Sequence, residues 1–180
     1  MLLDNTKNGF SLKSNFELKK AYFVFKIISN KSLTNLGKKA LEFSLKLRLP
    51  ILFLVKGTVL KQFCSGETLD QSFKTVERLY DKNVKSYLHY SVEGLENEES
   101  YDSSMSEVIN SIKFVANKKI LDFTVFKPTA IASSKILQKV SENKPLNRNE
   151  QELFERILNR FDTICNMAQK KGVKVLVDAE

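Results

Sequence analysis

The chain has 180 residues, 42% of them hydrophobic and 28% charged, with a formal net charge of +8. That length holds one domain with a sizeable core, and the balance of apolar and charged residues excludes disorder over the whole length. No apolar run reaches the roughly 18 residues needed to span a bilayer, and the N-terminus MLLDNTKNGF lacks a secretory signal pattern.

The charge is unevenly placed. Residues 1–63 hold 12 Lys and Arg against 3 Asp and Glu; the rest of the chain is nearly balanced, 17 against 18. A basic segment of this kind is either a solvated helical face or a surface for anionic lipid. No RNA-binding signature, zinc-finger spacing or basic zipper supports nucleic acid as a partner. Cys64 and Cys165 lie far apart without metal-ligand or CxxC spacing, so two buried reduced thiols in an intracellular protein are expected, and no metal site.

Residues 16–63 carry apolar side chains at helical spacing: Phe16, Ala21, Tyr22, Phe25 and Ile28, then Leu33, Leu36, Ala40, Leu41 and Phe43. Ser32 is the expected cap of the second helix, and Pro50 suits the first turn of a third over 50–63. Ile51, Leu52, Phe53, Leu54 and Val55 make that third helix apolar on most sides, which predicts a packed position.

After Gly66 the pattern becomes alternating helices and short strands. Thr68 caps a predicted helix over 69–82, with Phe73, Val76, Leu79 and Tyr80 on its buried side. A strand over 86–92 follows, then a helix over 97–118 with Met105, Val108, Ile109, Ile112 and Val115 at helical spacing. The apolar strand 123–127 is ended by Pro128, which lacks a backbone donor. A short helix around 134–140 and the turn NKPLNRNE lead to a long helix over 151–171, whose stripe is Leu153, Ile157, Leu158, Phe161, Ile164 and Cys165. Gly172 stops it, and 173–177 is the third strand. Alternation of this kind implies βαβ units and a parallel sheet. No GxGxxG follows the first strand, which favours an α/β barrel over a dinucleotide-binding sheet.

The three strands end in YLHYSVEG (87–94), FTVFKPTA (123–130) and VLVDAE (175–180). By alternation His89, Ser91 and Glu93 share a face, as do Phe123, Val125 and Lys127, and Leu176, Asp178 and Glu180. Facing one barrel mouth, they would set a lysine among carboxylates, an arrangement that suits an anionic substrate head group. A solvated strand end is the plainer reading of each residue alone. His89, the one histidine, has no HxH or HExxH partner spacing, and a hydrogen-bonded structural role is expected for it.

At these residues the sequence resembles the proline dehydrogenase family, particularly its monofunctional bacterial members. The matching stretches are FSLKS at 10–14, LKKAYFVFK at 18–26, FCSGET at 63–68, TVERLYDKNVKSYLHYSVEG at 75–94, FTVFKPTAI at 123–131, RFDTIC at 160–165 and VLVDAE at 175–180. The resemblance implies a distorted (βα)8 barrel with non-covalent FAD that oxidises L-proline to Δ1-pyrroline-5-carboxylate and passes electrons to a membrane quinone. Carried over by motif, Lys127 stands near substrate and flavin, Asp178 helps position the flavin-facing groups, and Glu93 pairs with an arginine that gates the site. Residues 1–66 would be a helical arm and 67–180 the first part of the barrel.

Two departures matter. LHYSVEG has His89 where the family strand has aspartate, which puts the order of the site in doubt. The sequence also ends after the third predicted strand, whereas such barrels need on the order of 250 residues. The expectation is a fragment that alone neither binds FAD well nor oxidises proline, located in the cytoplasm with peripheral contact at the inner membrane. Two other readings stay open: a non-catalytic basic module that binds a membrane surface or a protein, and a barrel acting on another substrate.

Overall fold

The computed structural model describes residues 5–90 and 96–178. The chain divides into two compact units, 1–78 and 79–180.

The first unit is helical. After a short turn, α1 (Thr6–Gly9), Ser14 starts α2 (Asn15–Ile28) with a reciprocal capping box. The Ser14 hydroxyl accepts from the Glu17 amide at 3.2 Å, and the Glu17 carboxylate accepts from the Ser14 amide at 2.8 Å. The cap of α3 (Lys31–Lys46) is Asn30, not the expected Ser32. Its side-chain oxygen accepts from the amides of Ser32 and Leu33, both at 3.1 Å, so Ser32 lies inside the first turn.

The third helical stretch runs from α4 (Leu52–Val55) through a π-helical turn (Lys56–Leu60) into α5 (Lys61–Phe63), leaving Pro50 outside it. The wider turn carries the Gly57 carbonyl, which accepts from the Lys20 ammonium on α2. Against the expected packed position Phe53 is 86% exposed, while Ile51 and Val55 are half-buried; the side chains of Leu52 and Leu54 lie outside those described, and the stretch meets α2 with Phe63 edge-on to Phe25 at 5.8 Å. In α2 and α3 the buried residue is Val24.

Thr68 accepts from the Gln71 amide at 3.2 Å at the start of α6 (Leu69–Tyr80), as its position predicts. Val76 is buried in α6, but Tyr80 is 45% exposed rather than on the buried side.

The second unit is a βαβ arrangement. Asn97 caps α7 (Glu98–Ala116) by accepting from the Ser100 amide at 2.9 Å, and Glu98 and Glu99 place negative charge at the positive end of the helix dipole. β1 (Phe123–Phe126) is followed by a 3-10 turn (Pro128–Ala130), α8 (Ser134–Ser141), α9 (Arg148–Lys171) and β2 (Lys174–Val177). The strands are parallel, with Phe123 opposite Lys174, Thr124 opposite Val175, Val125 opposite Leu176 and Phe126 opposite Val177. The strand predicted over 86–92 differs: in its described part it joins the sheet only through a parallel bridge between His89 and Val125. Side-chain packing holds it instead, with Leu88 5% exposed. Residues 91 and 92 lie outside the described residues.

The long helix begins three residues earlier than its apolar pattern predicts, because Asn147 and Glu150 form a second capping box. Gly172 ends it at φ 64°, a left-handed conformation open to glycine. The core joins Val108 and Ile112 of α7, Phe126 of β1, Ile131, and Ile164 and Ala168 of α9. A second cluster holds Ala132, Ile136 and Ile157. The stripe of α9 is therefore Ile157, Ile164 and Ala168, with Arg160 among them. Leu158, 47% exposed, and Cys165 turn outward, about 100° around the helix from Ile157 and Ile164. Cys64 is exposed as well; both thiols are free, and the expectation that they are buried fails.

Ile164→Ala should lower the unfolding free energy by about 2–5 kcal/mol, while Leu158→Ala stays within about 0.5 kcal/mol of the parent in urea unfolding. Glu150 lies below its ordinary value because the Lys139 ammonium, and then the Asn147 amide, donate to it. A carboxylate held low in the folded state stabilises above its unfolded value, and that contribution is lost as pH falls through the folded one. Glu150→Gln should therefore melt below the parent at pH 7, and the difference should shrink below about pH 4.

Candidate functional site

The alternation of β1 sorts its side chains by partner. Thr124 and Phe126, both at most 1% exposed, turn toward the helices, where Phe126 meets Phe161 of α9 at 5.4 Å. Val175 of β2 packs on the same side. The opposite face carries Phe123, Val125 and Lys127 on β1 and its continuation, and Leu176 and Asp178 in register beside them. Tyr87 joins this face, its ring 5.3 Å from that of Phe123, and His89 joins it through its bridge to Val125.

The ladder continues past β2, because the Asp178 amide donates to the Phe126 carbonyl at 3.0 Å. Lys127 and Asp178 thereby become neighbours at the carboxyl edge of the sheet. Lys127 is extended and half-buried, and Pro128 immediately starts the 3-10 turn; Asp178 is exposed. Glu93, the third predicted site residue, lies outside the described residues with Ser91 and Glu180. The amino end of the sheet carries a different pair, Lys85 and Asp122 at 2.6 Å. Lys85 holds the Asp122 carboxyl below its ordinary value and is itself raised by donating to it. Both are well exposed, so water screens the pair.

The face is apolar in the middle of the strands, with Lys174 in register beside Phe123 at its amino end and Lys127 and Asp178 at its carboxyl end. Val125 is buried at 3% exposure, and Tyr87, Phe123 and Leu176 around it present an apolar surface on which a flat ring system can lie. His89 Nε2 is buried there without a hydrogen-bond partner among the described residues, against the expected satisfied histidine.

A second polar centre lies on the helix side and was not predicted. The Arg160 side chain is 5% exposed and donates to Asp102 at 2.7 Å, to Glu98 at 2.6 Å and to the Ile131 carbonyl at 3.3 Å. Its guanidinium also lies 5.5 Å from the centre of the Tyr101 ring. Burial pushes the Tyr101 phenol up, and the carboxylates of Glu96 and Glu98 push it further. The signal available in the sequence was one charged residue inside an apolar stripe, between Ile157 and Ile164.

Comparison with known proteins covers this whole unit. A family model described as Proline dehydrogenase matches residues 72–180. The carbapenem antibiotics biosynthesis protein CarD of Pectobacterium carotovorum subsp. carotovorum is 30% identical over 118 residues, 66% of this chain and 31% of that protein. Proline dehydrogenase 1, mitochondrial, of Dictyostelium discoideum is 28% identical, over 99% of this chain and 38% of its own length. The hydroxyproline dehydrogenase of Xenopus laevis is 26% identical, over 95% of this chain and 44% of its own. The chain thus spans between about a third and under half of the length of these relatives. With the family model covering well over half of the sequence, the chain belongs to the proline dehydrogenase family.

Proposed function

We propose that residues 67–180 form the first part of a (βα)8 barrel that oxidises L-proline to Δ1-pyrroline-5-carboxylate with FAD, and that residues 1–66 are its helical arm. The observation that carries this reading is the adjacency of Lys127 and Asp178 at the carboxyl edge of a parallel sheet, where barrel enzymes hold their sites. The sheet face beside them fits a flavin, whose ring system is a broad planar body with polar edges. Bound there, the flavin supplies a two-electron acceptor for the hydride that leaves the ring carbon next to nitrogen.

In this reading the chain's own residues hold and orient. The Lys127 ammonium attracts the negative charge of substrate and cofactor. The Asp178 carboxylate, one strand over, keeps that ammonium aimed and accepts from donors of the flavin. Glu93 pairs with a gating arginine supplied by a later part of the barrel. Tyr87, Phe123 and Leu176 keep water from the reacting carbon. A quinone is the proposed final electron acceptor.

The two paired strands and one bridged segment among the described residues do not close a barrel, which takes about eight. Turnover is therefore assigned to a form in which further strands complete it. Flavin absorbance and proline-dependent dye reduction should appear in a chain extended to a full barrel and be missing from the 180-residue chain. In the extended chain Lys127→Met should lower kcat/KM for proline by about a hundredfold or more with its melting point kept. Unchanged turnover in that variant would remove Lys127 from the site.

A second reading concerns the first unit, where Phe16, Tyr22 and Phe53 are each more than two-thirds exposed on a strongly basic segment. Exposed aromatic side chains with lysines suit a peripheral contact with an anionic membrane, at the inner membrane of a cell. No helix among the described residues is long and apolar enough to cross one. The chain should float with vesicles rich in phosphatidylglycerol, less so with zwitterionic ones, and high salt should release it. Absence of flotation with anionic vesicles discards this contact.

A further inference from the structure

Arg160 is buried on the side of the sheet away from Lys127, yet its partners are not scattered. Glu98 is in the first turn of α7 and Asp102 one turn later. Ile131, whose carbonyl is the third partner, is fully buried and ends the 3-10 turn that begins directly after Lys127. That turn is closed by two backbone bonds, from the Ala130 amide to the Lys127 carbonyl and from the Ile131 amide to the Pro128 carbonyl, both at 3.1 Å. Three residues, Pro128, Thr129 and Ala130, therefore separate Ile131, whose carbonyl Arg160 holds, from Lys127, and they have little freedom. Arg160 itself stands on α9, the helix that leads into β2 and Asp178.

Stability alone does not explain the choice of residue. The two acids keep side-chain exposures of 34% and 61%, while the guanidinium keeps 5%. Burying a guanidinium carries a desolvation penalty that an apolar side chain of similar volume avoids. What an apolar side chain cannot do is hold three acceptors on two other segments at fixed angles. A planar fork of five donors can; an ammonium reaches one or two.

We propose that Arg160 is the positioning residue of this unit: it ties the start of α7 and the turn after β1 to α9, and so sets the placement of Lys127 at the sheet edge. The consequence for turnover rests on Lys127 being a site residue, as proposed above; the tie itself does not.

Hydrogen exchange on the full chain tests the tie with two variants. Arg160→Lys keeps the buried charge and loses the fork. It should accelerate exchange at the amides of residues 129–132 by about tenfold, the scale of one lost hydrogen bond from a charged group, with the last turns of α9 and β2 within about twofold of the parent. Arg160→Met also removes the charge and should extend the acceleration to the first turn of α7. If the Met variant does not fold, the Lys variant carries the test. Uniform acceleration over 79–178, the mark of lost global stability, overturns the proposal, as does unchanged exchange at 129–132. A tie confirmed by exchange beside a Lys127→Met variant of full activity would sink the site reading and leave the positioning role standing.

Discussion

A parallel pair of strands cannot be joined by a hairpin, and that constraint organises the second unit. β1 and β2 run side by side in the same direction, so the chain must return across the sheet between them, and α8 and α9 are that return. Because the return lies on one side, the strands acquire two unlike faces. Thr124, Phe126 and Val175 enter the core with Ile112 and Ile164. Lys127, Leu176 and Asp178 point to the other face, where Val125 is nonetheless buried at 3% exposure. The apolar character of the second face is then informative: Leu176 is 48% exposed and Tyr87 49% exposed, costs that a solvated sheet face would avoid with polar residues. Both suit a face that the proposed barrel and flavin would cover.

The first unit shows the same imbalance by another route. Its helices are capped soundly, by the Ser14–Glu17 box and by Asn30, so local signals account for their existence. Burial does not, since Val24 alone of α2 and α3 falls below a tenth exposed while Phe16, Tyr22, Phe23 and Phe43 remain above 60%. Helices of this length draw most of their stability from an apolar face packed against something. Aromatic side chains placed in this way among lysines are suited to a surface that is itself apolar inside and anionic outside, which is the logic of the proposed membrane contact.

Much of this was legible in the sequence where one interaction dominates locally. Apolar spacing located α7 and α9, Pro128 ended β1, Gly172 stopped α9, and Thr68 capped α6. The motif pair FTVFKPTA and VLVDAE put Lys127 and Asp178 at strand ends, and the register then made them neighbours. Other features depend on partners distant in the chain. Ser32 and Asn30 are both good caps, and only the backbone geometry at residue 30 decides between them. Leu158 and Cys165 fit an apolar stripe by type, but Arg160 shifts the buried line of α9 around its axis toward Glu98 and Asp102. An arginine in a stripe is invisible as a core residue until the two acids, some 60 positions earlier, are placed beside it.

The buried polar groups of the unit are unevenly satisfied. On the helix side the buried guanidinium of Arg160 donates to two carboxylates and a carbonyl. The Tyr101 hydroxyl beside it, and Ser86 Oγ, His89 Nε2 and Thr124 Oγ1 on the sheet, are buried without a hydrogen-bond partner among the described residues. Each such group costs on the order of 1–3 kcal/mol relative to a satisfied one. Thr124 faces the core, so its hydroxyl has little prospect of relief. His89 differs, because it stands on the open face beside Val125, in the strand position where the resemblance implies an aspartate. An aspartate there would bring a negative charge and four acceptor sites, whereas imidazole brings two ring nitrogens, at least one of them a donor. In the proposed reading the exchange removes one negative charge from the neighbourhood of Lys127 without emptying the position of polar function, and so leaves the lysine less offset by acids on this face.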